Sequence, residues 1–233
     1  MAQAPADDLA ADFNVAPTKQ VYIVAERPAD DAPAGVDRRL AVARWGLVPS
    51  WAKDPGIGSK LINARAETAA TKPAFRSAFA HRRCIVPADG YYEWYDPVAE
   101  DAPRGRSGRP LKQPFFIHPA DGRSLAMAGL YEFWRDPAAQ PTDPWLMTVA
   151  ILTTTATDAL GRIHDRMPLP IPPGLWHRWL DPAAGAAAAA EVLQSHTAGE
   201  LVAYPVSTAV NNVRNNGPEL IVPLPAAGQP TSR

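Results

Sequence analysis

The sequence has very little cysteine and no segment that could anchor the chain in a membrane. Among 233 residues Cys84 is the one cysteine, so no disulfide can form within the chain and a reducing compartment is expected. No apolar run approaches the ~20 residues that a membrane-spanning helix requires. Residues 1–12 are small and acidic and lack the basic and apolar regions of a signal peptide. These absences predict a cytoplasmic protein without membrane association.

Metal-binding patterns are also lacking. The five histidines lie far apart, and none is spaced with another histidine or with the cysteine in the way that zinc ligands are. No serine, cysteine or metal nucleophile motif accompanies the acidic and histidine residues considered below, which gives no support to an unrelated hydrolase. We therefore expect neither a metal nor a cofactor.

Net charge is close to zero but unevenly distributed. The formal value of −1 argues against a general nucleic-acid binder. Acidic residues concentrate towards the N-terminus, whereas one central stretch holds four arginines: Arg65, Arg76, Arg82 and Arg83. Arginine forks suit phosphate better than lysine does. However, a chain rich in alanine, proline and arginine can equally reflect G+C-rich coding, so charge alone leaves both interpretations open.

Apolar runs of strand length recur along the chain, separated by clusters of proline, glycine and aspartate. The predicted strands are 20–25, 39–45, 83–86, 91–95, 114–118, 125–134, 145–154 and 201–206. Helical patterns are fewer, at 67–81, 172–180 and 183–196. Strands that do not alternate with helices predict an α+β fold, with a strand-rich, barrel-like sheet that hides its edges and is flanked by a few helices.

No linker divides the chain, because its 26 prolines are spread through the connections. We therefore predict a single domain over residues 13–224. It is preceded by a flexible acidic segment at 1–12 and followed by a disordered tail at 225–233.

Three short polar sequences interrupt otherwise apolar segments. They are Ile-Asn-Ala-Arg-Ala-Glu-Thr at 62–68, Pro-Ala-Asp-Gly-Tyr-Tyr-Glu-Trp at 87–94, and Ile-His-Asp-Arg-Met-Pro at 163–168. Each places one hydrogen-bonding or proton-transferring side chain where a core element ends, namely Asn63, Glu93 and His164. An amide, a carboxylate and an imidazole that converge in space make a general acid–base site.

These sequences, with Trp-Gly-Leu-Val-Pro-Ser-Trp at 45–51, Lys-Pro-Ala-Phe-Arg at 72–76 and Arg-Cys-Ile-Val-Pro-Ala-Asp-Gly at 83–90, resemble the SRAP (SOS-response-associated peptidase) family of abasic-site processing proteins. The likeness extends from about Phe13 to about Pro223. It implies a single SRAP-like domain that acts in the response to DNA damage. It also implies binding of single-stranded DNA at abasic sites, and we expect the chain to be a monomer.

The resemblance further implies a covalent reaction. In the family, the amine and thiol of a cysteine at position two capture the ring-opened sugar aldehyde, first as an imine and then as a thiazolidine. The peptidase assignment reflects apparent self-processing of the same N-terminus. The expected activity is therefore peptidase- or lyase-like, with formation of a DNA–protein crosslink.

The N-terminus departs from the family pattern. The chain begins Met-Ala-Gln where the family has Met-Cys-Gly-Arg. Cys84 lies in a strand-like apolar sequence without a neighbouring free amine, so we expect a small buried side chain that cannot close a thiazolidine. Either an upstream start supplies the missing cysteine, or the chain is a crosslink-incompetent paralogue that acts as a single-stranded DNA-binding module.

The resemblance assigns catalytic roles to three residues, and each has a structural alternative. Asn63 would orient an amine and a carboxylate, unless it only ends a strand by bonding its own backbone. Glu93 would exchange protons with an amine, unless it is a solvent-facing strand residue. His164 would assist sugar ring opening and relay a proton, unless it is a structural histidine capped by Asp165.

Contacts to DNA are predicted for further residues. Arg65 and Arg166 each follow a site residue by two positions, and residues i and i+2 of a strand share a face, so each could hold a phosphate. Trp45 and Trp51 offer stacking surfaces for bases, although either could instead pack in the core. The remaining candidates for DNA contact are Arg76 and Thr153.

Overall fold

The computed structural model describes residues 8–28, 35–96, 108, 111–156, 158–194 and 199–225. Within them the strands are β1 Gln20–Pro28, β2 Val36–Trp45, β3 Asn63–Arg65, β4 Arg83–Ala88, β5 Tyr91–Tyr95, β6 Gln113–Pro119, β7 Leu125–Trp134, β8 Leu146–Thr155, β9 Arg166–Pro168 and β10 Leu201–Pro205. The α-helices are α1 Ala66–Ala69, α2 Arg76–His81, α3 Trp176–Leu180 and α4 Ala186–Gln194. The predicted α+β class is confirmed.

The larger sheet closes a ring of hydrogen-bonded strands. Its order is β2-β1-β4-β7-β8-β3, and β2 also pairs in parallel with β8 through Arg44 with Thr148 and Trp45 with Val149. This last pairing joins the ends of the β2-β1-β4-β7-β8 path. The edges of β2 and β8 are thus partly covered, as expected for a strand-rich fold that avoids open edges. A smaller antiparallel sheet has the order β10-β6-β5.

The central strands of the large sheet are buried on both faces. Along β8, Ala150 and Leu152 pack with the helices, whereas Val149 and Ile151 pack on the opposite face with Cys84 and its neighbours. Alternate residues of a strand point to opposite faces, so a strand covered on both sides needs an uninterrupted apolar run. This explains why β7 and β8 lack the alternation of polar and apolar residues.

The helices cover one face of this sheet. Phe79 of α2 and Trp179 of α3 meet edge to face with ring centroids 6.3 Å apart, and both are buried. The indole N–H of Trp179 donates to the carbonyl of Cys84 at 2.8 Å, which ties α3 to β4. Cys84 itself is fully buried, as predicted.

The predicted helical segment 67–81 is broken near Pro73, a residue that a helix tolerates only in its first turn or at a break. The segment 67–81 forms two short helices, α1 and α2, rather than one. The N–H groups of Thr71 and Lys72 both return to the carbonyl of Thr68, which closes α1 just before Pro73. A proline lacks the N–H for a helical bond and disfavours helical geometry in the preceding residue. The chain therefore turns here before α2 begins.

Both predicted terminal segments lie largely outside the described residues. The described part of the first, residues 8–12, is held against the domain: the N–H of Leu9 donates to the Tyr22 hydroxyl at 2.7 Å, and Asp12 pairs with Lys19 at 2.7 Å. None of the helices in the described parts of the chain has the length and apolar character needed to cross a membrane.

Candidate functional site

The C-terminal end of β8 brings two short strands together. On one side β3 runs parallel to β8, with Arg65 opposite Thr153, and on the other side β9 pairs antiparallel, with Pro168 opposite Thr153. Along β3, Asn63 and Arg65 are exposed while Ala64 is buried, as two-residue alternation requires. Asn63, Arg65 and Arg166 therefore gather around one end of β8, although they are far apart in sequence.

An open cleft lies over this end of the sheet and extends to β5 of the smaller sheet. Its volume is about 1430 Å³, larger than the ~300–1,000 Å³ of typical small-molecule pockets. Seven of the nine predicted site residues line it: Trp45, Asn63, Arg65, Glu93, Thr153, His164 and Arg166. The cleft thus has room for a polymeric ligand and carries the amide, carboxylate and imidazole side chains on its wall.

Glu93 and His164 approach each other from different sheets. Glu93 lies on β5, His164 lies two residues before β9, and His164 Nδ1 is 3.9 Å from Glu93 Oε2. The other carboxylate oxygen, Oε1, accepts the backbone N–H of Trp94 at 3.1 Å. Both side chains stay partly open to the cleft, at 23% exposed for Glu93 and 45% for His164. An acid–base pair that a ligand can reach is therefore present.

The backbone around His164 constrains its ring. The N–H of Arg166 donates to Nδ1 at 3.0 Å. In the neutral ring Nδ1 is then the acceptor and Nε2 carries the proton. If Nδ1 is protonated instead, the Arg166 carbonyl at 3.2 Å and the Asp165 carboxylate at 3.3 Å are its partners. Nδ1 therefore has a partner whether it accepts or donates a hydrogen bond, so the ring is held in this orientation in either tautomer.

Asn63 and Arg65 present free polar groups to the cleft. Neither side chain makes a hydrogen bond or an ion pair within the described residues, and both are exposed. The structural alternative for Asn63, a bond to its own backbone, is thus not observed. The amide can donate and accept, and the guanidinium of Arg65 offers five donors to an anion.

Arg166, in contrast, is already engaged. Its Nη1 and Nη2 atoms donate to the two carboxylate oxygens of Glu67 at 2.8 and 3.0 Å, and Nη2 also donates to the Thr153 carbonyl. These hydrogen bonds from Arg166 are the main reason why the pKa of Glu67 lies below its ordinary value; partial burial opposes them. A bidentate phosphate contact through the Nη1–Nη2 edge therefore has to displace Glu67, a condition that the sequence did not predict.

The two tryptophan candidates are placed differently. Trp45 is partly buried against the apolar interior of the ring, its indole N–H donates to the Ile62 carbonyl at 2.9 Å, and one side lines the cleft. Trp51 is 61% exposed and does not line the cleft, and neither does Arg76, which lies at the start of α2. Trp51 and Arg76 therefore lie outside the cleft that the other seven residues line, and their contact with DNA stays a prediction.

The segment from Leu9 to Tyr22 forms a further wall of the cleft, which sequence reasoning missed. The Tyr92 hydroxyl donates to the carbonyl of Phe13 at 2.7 Å and so fixes this segment to β5. Burial raises the pKa of Tyr92 to about 12, so the phenol remains a donor at neutral pH. The sequence signal that could have identified this wall is Phe-Asn-Val-Ala-Pro at 13–17, where the family likeness begins.

Tyr91 is a second residue that the sequence left unassigned. It shares a strand face with Glu93 and lines the cleft, and its hydroxyl is buried without a hydrogen-bond partner in the described residues. Burial raises the pKa of Tyr91 well above its ordinary value, and the charge of Glu93 adds to this effect. The phenol therefore stays protonated.

Within the part of the chain that the structure describes, no group of three His, Cys, Asp or Glu side chains is arranged as metal ligands.

The fold thus presents an amide, a carboxylate and an imidazole to a cleft with room for a large ligand. The chain belongs to the SRAP family: the sequence profile described as SOS response associated peptidase (SRAP) matches residues 1–213. The abasic site processing protein YoqW of Bacillus subtilis (strain 168) is 39% identical to it over 212 residues, which are 90% of this chain and 84% of YoqW. YedK of Escherichia coli (strain K12), another abasic site processing protein, is 36% identical over 216 residues, 91% of this chain and 84% of YedK.

Solved structures support the same relationship. A protein from Bacteroides thetaiotaomicron matches with a TM-score of 0.68 at 26% identity, over 89% of this chain and 82% of that one. A protein from Bordetella bronchiseptica matches with a TM-score of 0.65 at 32% identity, over 87% of this chain and 90% of the other. The fold is therefore shared along most of the chain.

Proposed function

We propose that this protein binds single-stranded DNA at an abasic site as a monomer, and that Asn63, Glu93 and His164 act on the ring-opened sugar. The observation that carries the proposal is the approach of His164 Nδ1 to Glu93 Oε2, 3.9 Å, in a cleft that also exposes the unpaired amide of Asn63. The names of the relatives YoqW and YedK, both abasic site processing proteins, supply the substrate class.

Each group has a distinct task in this proposal. Opening the sugar ring requires a proton on the ring oxygen and the loss of one from the hydroxyl at C1′. His164 donates the first from Nε2, the nitrogen left free by the Arg166 N–H on Nδ1. Glu93, in its carboxylate form, accepts the second. The amide of Asn63 holds the resulting aldehyde oxygen, or the amine that attacks it, through its N–H and C=O groups.

Arg65 is the residue that we assign to a phosphate of the strand. Its exposed guanidinium lies two residues from Asn63 on the same face of β3 and has no internal partner within the described residues. A phosphate next to the lesion would thus be held beside the amide that orients the sugar. Trp45, whose open side lines the cleft, is the residue proposed to contact a base.

Cys84 takes no part in a crosslink. It is fully buried, and burial raises the pKa of its thiol far above the ordinary value. A stable thiazolidine therefore requires an N-terminal cysteine, which the sequence as given does not contain. For the sequence as given we propose a reversible imine: an amine of the protein adds to the aldehyde carbon, the C=N bond forms, and the aldehyde oxygen leaves as water.

The second candidate is a single-stranded DNA-binding module without chemistry. The inaccessible thiol of Cys84 and the unpaired Arg65 favour it, because both are compatible with binding alone. It predicts salt-dependent binding that Glu93→Gln leaves unchanged and that does not distinguish damaged from intact DNA.

A labelled oligonucleotide with one abasic site, compared with its undamaged counterpart, separates these functions. Fluorescence anisotropy at fixed salt measures affinity, and treatment with borohydride followed by a denaturing gel detects a reduced imine. We expect preference for the abasic strand and a borohydride-dependent band. Both Glu93→Gln and His164→Ala should weaken the band, whereas His177→Ala, an exposed histidine of α3 outside the cleft, should leave it unchanged.

The outcomes are distinct. Equal binding of both strands and no trapped band would favour the binding module. A band that survives denaturation without borohydride would contradict the reversible imine. No binding to single-stranded DNA would contradict both candidates.

A further inference from the structure

We infer that Glu67 competes with DNA phosphate for Arg166 and so lowers the affinity of the cleft for any single strand. This inference rests on the proposed function, since it assigns an affinity-setting residue to the same cleft. The pair is formed across 99 residues, by the first turn of α1 and the start of β9. Glu67 does not itself line the cleft, whereas Arg166 does.

The hydrogen bonds of Arg166 occupy the edge of its guanidinium formed by Nη1 and Nη2. Nη1 and Nη2 bind the two oxygens of Glu67, Nη2 also binds the Thr153 carbonyl, and Nε is buried without a partner. A ligand cannot reach the buried Nε. The edge formed by Nη1 and Nη2 is the one that binds phosphate oxygens in bidentate pairs. In the DNA-free protein that edge is occupied by a carboxylate.

Arg166 has two partners, Glu67 and the Thr153 carbonyl, and Glu67 is the one that a phosphate can displace. Its side chain is 50% exposed, whereas Arg166 is 20% exposed and Thr153 bonds through its backbone within β8. Exposed ion pairs contribute little net stability, so a phosphate that arrives with other DNA contacts can displace the carboxylate. Arg166 would keep its bond to Thr153 and exchange only its outer partner.

The displaced carboxylate then opposes binding. It remains close to the phosphate and also interacts electrostatically with Arg65, the other arginine of the cleft. Replacing it by an amide removes both the competition and one negative charge. Because phosphates are common to intact and damaged strands, affinity should change by the same factor for both.

The test uses five variants of the full chain and a fluorescent oligothymidylate, with affinity measured by anisotropy at fixed salt. Glu67→Gln should bind roughly two- to fivefold more tightly than the unmodified protein, the range expected from the loss of an exposed ion pair. Arg166→Gln should bind more weakly. The double variant should bind like Arg166→Gln alone, because the gain requires the freed guanidinium.

Asp121→Asn is the matched control. Asp121 is also 50% exposed and pairs with an arginine, Arg123, at 2.6 Å, but neither residue lines the cleft. A general charge effect would tighten binding equally in this control. Thermal unfolding verifies that each variant is folded, and Glu67→Asp, which shortens the side chain without changing its charge, provides a second variant with a smaller expected gain.

Three results would overturn the inference: weaker or unchanged binding by Glu67→Gln, a gain that persists without Arg166, or an equal gain in Asp121→Asn. Weaker binding by Glu67→Gln would show instead that Glu67 positions Arg166 for contact with phosphate. Failure of the proposed function would look different: the unmodified protein would bind no single strand, or it would bind intact and abasic strands equally without a trapped band. The second result leaves the expected effect of Glu67→Gln unchanged.

Discussion

The side-chain amide of Asn14 donates to the carbonyl of Val210 at 3.1 Å, a contact between residues 196 positions apart. The same nitrogen is 3.2 Å from the carbonyls of Asn212 and Asn215. Asn14 is buried, and its bond to the Val210 carbonyl is shielded from water, whereas its bonds to Asn212 and Asn215 are partly buried. One side chain thus joins the wall of the cleft formed by residues 9–22 to the C-terminal part of the domain.

Asn14→Ala should therefore destabilise the protein. The substitution removes two N–H donors that three carbonyls share, one of them in a buried bond, and we expect the free energy of unfolding to fall by about 2 kcal/mol. Urea denaturation measures the change. Asn216→Ala, which removes an exposed acceptor of the Phe13 N–H, is the control and should change stability by less than ~0.5 kcal/mol. Equal effects of the two substitutions would contradict the role assigned to Asn14.

The long strands were predictable from sequence because burial on both faces leaves a strong local signal. All eight predicted strands coincide with observed ones. The two that were missed, β3 and β9, have three residues each, too few for any periodic pattern. They nevertheless carry Asn63, Arg65 and Arg166. The fold class could thus be predicted, whereas the way in which β8 brings the site together could not.

The candidate site was predictable only in part, for a similar reason. Asn63, Glu93 and His164 were identified through family resemblance, and all three line the cleft. The pairing of Glu67 with Arg166 spans 99 residues and has no local sequence signal. A free arginine and a paired one look identical in sequence, so only the structure distinguishes Arg65 from Arg166.

Cys84 should be chemically inert in the folded protein. It is fully buried and packs against Gly129, and burial raises the pKa of its thiol far above the ordinary value, so the reactive thiolate is scarce. We expect no labelling by iodoacetamide at mildly alkaline pH until denaturant unfolds the chain. Rapid labelling of the native protein, at a rate near that of the unfolded chain, would show that the thiol is accessible after all.

The Glu67–Arg166 pair should make a small, pH-dependent contribution to stability. The hydrogen bonds from Arg166 lower the pKa of Glu67 from 4.5, so the folded state binds fewer protons than the unfolded state near this pH. The contribution is therefore present above the unfolded value and is lost as pH falls through the folded one.

Denaturation of the unmodified protein and of Glu67→Gln measures this contribution across pH. Because Glu67 is half exposed, we expect a difference of no more than about 1 kcal/mol at neutral pH, and none once the carboxyl is protonated. A difference that stays constant at acidic pH would mean that the charge of Glu67 is not its cause.

Gly129 of β7 should not tolerate a side chain, because two side chains of β4 occupy the space. An added Cβ would lie 2.7 Å from Cys84 Sγ and 2.9 Å from a methyl group of Val86, both closer than van der Waals contact. Overpacking of this kind typically costs about 1–3 kcal/mol. We expect Gly129→Ala to lower the free energy of unfolding by this amount, as measured by urea denaturation. Gly174→Ala, which would meet no atom within 4 Å, is the matched control.

A double variant identifies the atom responsible for this effect. Cys84→Ala removes Sγ and leaves the remaining contact with Val86, so Gly129→Ala should cost less in that background than in the unmodified chain. Contacting residues of this kind show interaction energies of about 0.5–3 kcal/mol. If the two substitutions were additive, the packing of Cys84 against Gly129 would not be what excludes a side chain at position 129.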